Sequence, residues 1–166
     1  MQQNRIFSTN SYNEAGLRNI AALAGVNQAL IIRYFGSKEN LFKAALTEGT
    51  DLGYLTSPER SEFGKRAVET FLQLSEDSTN PMQILVFAMA DEKTRNVAVT
   101  YLEEQVLAPI SNWIGTPDSE ERAAHFVSVV VGFFTHRLLM PIDTFTGDLS
   151  PQTREWLEKT LQSTIE

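Results

Sequence analysis

The sequence predicts an all-α protein, with a three-helix, helix-turn-helix domain at the amino end followed by a larger helical body. Three observations carry this. Apolar residues recur at three- and four-residue spacing along most of the chain, and no run alternates with the two-residue period of a strand. Residues Ile20 to Leu41, IAALAGVNQALIIRYFGSKENL, set two short amphipathic segments about a tight glycine turn. Helix-start signals then recur at Ser57-Pro58-Glu59, Ser78-Thr79-Asn80-Pro81 and Ser119-Glu120-Glu121.

The first motif divides residue by residue. Arg18 to Ala24 reads as one helix, with Ile20, Ala21 and Ala24 along a buried stripe. Gly25 stands where a left-handed, helix-ending conformation is needed, which glycine adopts without a Cβ clash. Val26 would plug the angle between the helices. Asn27 would cap the next helix by accepting a bond from a free backbone N–H. That helix runs from Gln28 to Phe35. Ile31 and Phe35, four apart, face inward; Gln28, Ala29, Ile32 and Arg33 face outward, with Leu30 and Tyr34 at the margins. Gly36 ends it. Ser37 caps a connecting helix from Lys38 to Thr47, with Leu41, Phe42, Ala45 and Leu46 along one side. Such a turn also occurs in ordinary helical hairpins. The outward face argues for DNA: Gln pairs with adenine and Arg with guanine in the major groove, while Tyr and Lys hold phosphates.

The rest of the chain reads as helices joined by short turns. Gly49 to Ser57 is a loop. Ser57-Pro58-Glu59 supplies a cap, a first-turn proline and an acid at the positive end of a helix running to about Ser75. Phe63, Ala67, Phe71 and Leu74 fall on its buried face. Pro81 to Ala90 is almost wholly apolar, the mark of a helix covered on all sides. A longer helix, Asp91 to Ile114, should bend at Pro109, which lacks the helical N–H. After a loop from Gly115 to Ser119, a helix runs to Met140. After Pro141 to Ser150, the last helix spans Pro151 to Ile165.

Composition narrows the function classes. At 166 residues the chain suits one compact body with a small appended domain. It has no cysteine, so no disulfide and no thiolate chemistry, which fits a cytoplasmic location. No stretch approaches the roughly 20 apolar residues of a membrane span. The amino-terminal Gln2, Gln3 and Asn4 do not make a signal peptide. Charge is uneven. Residues 1–50 carry Arg5, Arg18, Arg33, Lys38 and Lys43 against Glu14, Glu39 and Glu48, so the net −7 of the chain lies wholly in the remainder. A mildly basic end on an acidic body fits a DNA reader whose body is repelled from phosphate.

Catalytic chemistry is not legible. His125 and His136 lie eleven apart on one predicted helix, which at about 100° per residue points them in different directions. Neither has a cysteine partner or metal-ligand spacing, although His136 beside Arg137 could bond a small molecule. Glu103-Glu104 and Glu120-Glu121 read as solvated faces or helix starts. Gly25 and Gly36 are isolated, so no loop cradles phosphate. Neither enzyme activity, cofactor nor metal is expected.

Residues Phe7 to Leu46 resemble the amino-terminal domain of the TetR-type (TetR/AcrR-like) transcriptional repressors. The likeness runs through Phe7 and Tyr12, Leu17-Arg18-Asn19-Ile20-Ala21 and Ala24-Gly25-Val26. It continues through Tyr34-Phe35-Gly36-Ser37-Lys38-Glu39 and Leu41. It implies a DNA-binding domain over 1–47 and an effector-binding and dimerisation domain over 48–166. It makes Gln28 to Phe35 the recognition helix, with Gln28, Ala29, Leu30 and Arg33 toward bases and Tyr34, Lys38 and Arg18 toward the phosphate backbone. Asn27 and Ile32 complete the expected DNA-binding set. Some positions depart from the family pattern. The first helix looks shortened at its start over Gln2 to Phe7. Ser11 replaces a usual glycine, Ala15 and Gly16 replace a Thr-Ser cap, and Ile32 replaces a frequent phosphate-binding tyrosine.

Two further expectations follow. The helix holding Ala123, Ala124, Phe126, Val127, Val129, Val130, Val131, Phe133 and Phe134 has almost no polar face, so one subunit covers it with difficulty. Phe126, Val130, Phe134, Trp156, Leu157, Thr160 and Leu161 are therefore candidates for a four-helix homodimer interface, with monomer core as the alternative. Phe71, Met82, Leu85, Phe87, Met89, Tyr101, Trp113, Phe126 and Phe133 are candidates for an apolar effector pocket, with plain core as the alternative. The resemblance implies a repressor released from palindromic double-stranded DNA by a small molecule. A dimeric small-molecule- or partner-binding protein with a decayed DNA-binding domain is the other reading.

Overall fold

The computed structural model describes residues 27–47, 52–76, 82, 85, 88 and 92–166. Every regular element among them is helical. The helices are α1 (Gln28–Phe35), α2 (Lys38–Thr47), α3 (Phe63–Glu76), α4 (Glu92–Leu102), α5 (Ala108–Ile114), α6 (Ser119–Phe134) and α7 (Pro151–Ser163). The chain divides into two compact units: Met1–Thr50 with Asp77–Leu102, and Asp51–Glu76 with Glu103–Glu166. The expected helix from Arg18 to Ala24 and its glycine turn lie outside the described residues.

In the first unit, α1 packs on α2 and α2 on α4. Leu41 and Leu46 of α2 are fully buried, as are Ala98 and, nearly so, Tyr101 of α4. The Tyr101 hydroxyl donates to the Leu46 carbonyl at 2.9 Å. That carbonyl lies in the last turn of α2. Of the apolar segment expected from Pro81 to Ala90, Met82, Leu85 and Ala88 are described, and each is helical. Leu85 and Ala88 are buried, and the Thr94 hydroxyl donates to the Ala88 carbonyl.

The second unit is built on α3, α5, α6 and α7. Its core is a row of aromatic rings. Trp113 stacks on Phe63 at 5.3 Å, and Phe63 meets Phe126 at 5.4 Å. Phe126 meets Phe71, which in turn contacts Phe133 and Phe134. Phe133 then meets Phe145, and Phe145 meets Trp156. The apolar spacing of α3 and α6 aims these rings inward, and offset or edge-on packing suits their quadrupoles.

Three helix boundaries differ from expectation, each for a physical reason. The helix expected from Ser57-Pro58-Glu59 begins at Phe63, after a 3-10 turn at Arg60–Glu62. One of its free N–H groups is satisfied from another helix. Gln162 of α7 accepts from the Gly64 N–H at 3.0 Å and donates to the Arg60 carbonyl at 3.0 Å. Arg60 is drawn to the end of α5, where its guanidinium bonds the Ile114 and Trp113 carbonyls and lies over the Trp113 ring. The approach of α3 to α7 needs glycine: a Cβ on Gly64 would collide with the Glu158 carbonyl oxygen.

The helix expected from Asp91 to Ile114 is interrupted before Pro109 by a π-helical turn, Glu103–Leu107. Proline offers no N–H to the carbonyl four residues earlier, and its ring crowds that carbonyl; the wider turn supplies the slack. The helix expected to reach Met140 is α-helical to Phe134, then π-helical over Thr135–Leu139. There the Met140 N–H reaches the Thr135 carbonyl at 2.8 Å, five residues back. The last helix starts as its sequence suggests, with the Ser150 hydroxyl accepting from the Thr153 N–H and Pro151 in the first turn.

Candidate nucleic-acid interface

Helix α1 is fixed at both ends by its own sequence. The Asn27 side chain accepts from the Ala29 N–H at 2.9 Å. Gly36 adopts φ 77°, open to glycine, and its N–H closes on the Ile32 carbonyl. The Asn40 side chain takes the Phe35 carbonyl, and the Ser37 hydroxyl caps α2 through the Asn40 N–H. These bonds set the angle between α1 and α2. Ile31 is the buried anchor of α1, and Phe35 is half-buried.

The remaining α1 residues face solvent. Asn27, Gln28, Ala29 and Arg33 are exposed, and so are Leu30 at 52%, Ile32 at 44% and Tyr34 at 81%. The Tyr34 ring rests edge-on against Phe35 at 4.9 Å, which holds its hydroxyl away from the core. No acidic residue occurs in α1 to neutralise Arg33. Seven of the nine expected DNA-binding residues are thus exposed, spread around the part of α1 that Ile31 and Phe35 leave open. Lys38 begins α2, its side chain outside the described residues, and Arg18 also lies outside them. The surface offers base-pairing groups from Gln28 and Arg33, a phenol from Tyr34, and aliphatic groups between. That combination fits a DNA groove, where base edges and phosphates lie side by side.

The candidate pocket residues fall in both units. Tyr101 and Leu85 are buried in the first, with Met82 half-buried; Phe87 and Met89 lie outside the described residues. Phe71, Trp113, Phe126 and Phe133 belong to the second, where they pack ring to ring. Of the candidate interface residues, Phe126, Val130, Phe134, Leu157 and Leu161 are buried within the subunit itself. Trp156 is 52% exposed and Thr160 half-buried, and these two border a cavity of about 250 Å³ between α6 and α7. Its other walls are Ser128, Val129, Gly132, Phe133, His136, Phe145 and Leu157. The buried Nδ1 of His136 has no hydrogen-bond partner among the described residues, and its ring stacks on Phe145. Arg137 donates to the Phe145 carbonyl and lies over Phe133, which ties the connecting loop to α6.

Residues 4–45 match the family model described as bacterial regulatory proteins of the tetR family, and residues 61–165 match the tetracyclin repressor-like C-terminal domain. The chain belongs to the TetR family. It is a DNA-binding transcriptional regulator of the kind these domains define. No curated protein matches the chain significantly.

Sequence reasoning did not single out three features of this regulator. Gln162, which caps α3 from another helix, lies about 100 residues away along the chain, beyond the reach of local capping rules. Phe145 sits in a segment with no periodicity. Gly132 lies on the open wall of the cavity, where a Cβ would meet nothing within 4 Å. A glycine inside an otherwise bulky helix was the one available signal.

Proposed function

We propose that the regulator is a homodimeric repressor, acting in the cytoplasm, that a small apolar effector releases from a palindromic operator. The observation that carries this reading is the buried bond from Tyr101 to Leu46. It joins α4 to the far end of α2, and α2 carries α1. Whatever shifts α4 therefore moves the reading helix, and DNA and effector can favour different positions of it. The effector binds among the aromatic side chains of α3, α5 and α6. The second copy seats on the α6–α7 face around Trp156. Two reading helices then meet two half-sites about one helical turn of DNA apart.

The test is a mobility-shift titration of the full chain on a duplex from its own gene's upstream region, at two salt concentrations. A shift that weakens with salt, and that small apolar compounds reverse, is expected. Binding that no compound reverses would remove the effector. The absence of any salt-sensitive shift would leave a small-molecule- or partner-binding protein whose DNA-binding domain no longer reads an operator.

A further inference from the structure

Helix α1 leaves two large aliphatic side chains in water. Leu30 and Ile32 are both among the chain's exposed large hydrophobic residues, and Ala29 is exposed beside them. At about 100° per residue, Arg33 lies opposite the seam formed by Ile31 and Phe35, and Ala29 and Leu30 lie within about 60° of Arg33 on either side. Ile32 lies on the flank toward Gln28. The centre of the face is therefore one guanidinium bordered by methyl groups.

In the major groove only one base edge carries an apolar group, the C5-methyl of thymine. Against any other edge, Leu30 would cover a donor or acceptor without replacing its hydrogen bond, which costs binding. We propose that the regulator reads thymine through its methyl group. Leu30 and Ile32 are the specificity-determining contacts, and the half-site is a guanine held by Arg33 with thymines at its borders. Gln28 supplies a further polar contact on the Ile32 flank, and Tyr34 one on the Leu30 flank. This rests on α1 being the DNA-reading helix.

The experiment selects duplexes from a randomised pool with the full chain, then measures binding with each half-site thymine replaced by deoxyuridine. Uracil differs from thymine only in lacking the methyl group, so pairing and charge stay constant. Salt is held fixed throughout. Each contacted methyl is expected to be worth about four-fold in affinity, the equivalent of one buried methyl group. Leu30→Ala and Ile32→Ala should each bring the thymine-to-uracil ratio toward one at a single position. Both side chains are exposed, so truncation leaves the fold intact. Replacing the matching cytosine of a weak site by 5-methylcytosine should recover part of the affinity. A selected, salt-sensitive site whose affinity ignores every uracil substitution would overturn the methyl reading and leave DNA binding intact. A pool that yields no salt-sensitive site would overturn both.

Discussion

Arg33 and Lys38 sit five positions apart, and the family pattern gives them different tasks. Arg33→Ala should cost about 1–3 kcal/mol of binding and relax specificity at one position, whereas Lys38→Ala should weaken all sequences alike and reduce the salt slope by about one. Competition titrations against a panel of single-base variants separate these outcomes; equal losses on every variant from Arg33→Ala would take it off the bases. Arg66 poses a different question. It is buried, the only hydrogen bond of its guanidinium among the described residues goes to the Leu55 carbonyl at 3.3 Å, and its Nε has no partner among them. A buried guanidinium so sparsely bonded opposes folding, so Arg66→Met should be neutral or raise stability by about 1–3 kcal/mol. Urea denaturation checks this, and a clear loss of stability would show that the charge is compensated. The outward face of α1 was legible at this scale because a short helix with two inward residues leaves little choice for the others. Arg66 was not, since nothing local distinguishes a buried arginine from a surface one.

Among the elements, α3 and α7 show where local rules stop. Each was expected from its apolar spacing, and each is present. Their junction was not legible, because it depends on Gly64 meeting Glu158 and on Gln162 supplying the missing cap. Gly64→Ala should therefore destabilise by about 1–3 kcal/mol through overpacking, although alanine is the better helix former. Thermal denaturation decides; an increase in Tm would mean that α7 moves aside freely. The start of α6 carries a pH signature. The Thr116 hydroxyl, helped by Arg122, holds the Asp118 carboxyl below its ordinary range, against an opposing desolvation. A depressed folded pKa contributes stability above the unfolded value and loses it as pH falls through the folded one. Asp118→Asn should thus lower Tm slightly at pH 7, with the difference fading as pH is taken below about 4. The two π-helical turns mark another limit. Pro109 announced a disturbance, but a missing N–H does not say whether the helix will kink or widen.

For the whole molecule, charge separates the two tasks. The net negative charge lies outside residues 1–50, so the body would not compete for phosphate with the proposed reading helix. The all-helical architecture was legible because helical periodicity persists along the chain. Which apolar residues serve the subunit and which serve its partner was not, since both kinds obey the same spacing. Within the subunit, Phe126, Val130, Phe134, Leu157 and Leu161 are already covered, while Trp156 is half in water. Trp156→Asp should accordingly shift the proposed dimer to monomer in sedimentation while leaving helical content unchanged. A variant that stays dimeric would move the interface elsewhere.

The row of rings has one more consequence. The chain's two tryptophans stand at its opposite ends, Trp113 stacked on Phe63 beneath a guanidinium and Trp156 at the rim of a cavity. The molecule thus carries two native fluorophores in unlike surroundings. Intrinsic emission, read with one or the other replaced by phenylalanine, gives separate optical channels for the α3–α5 contact and for the α6–α7 surface, without any label.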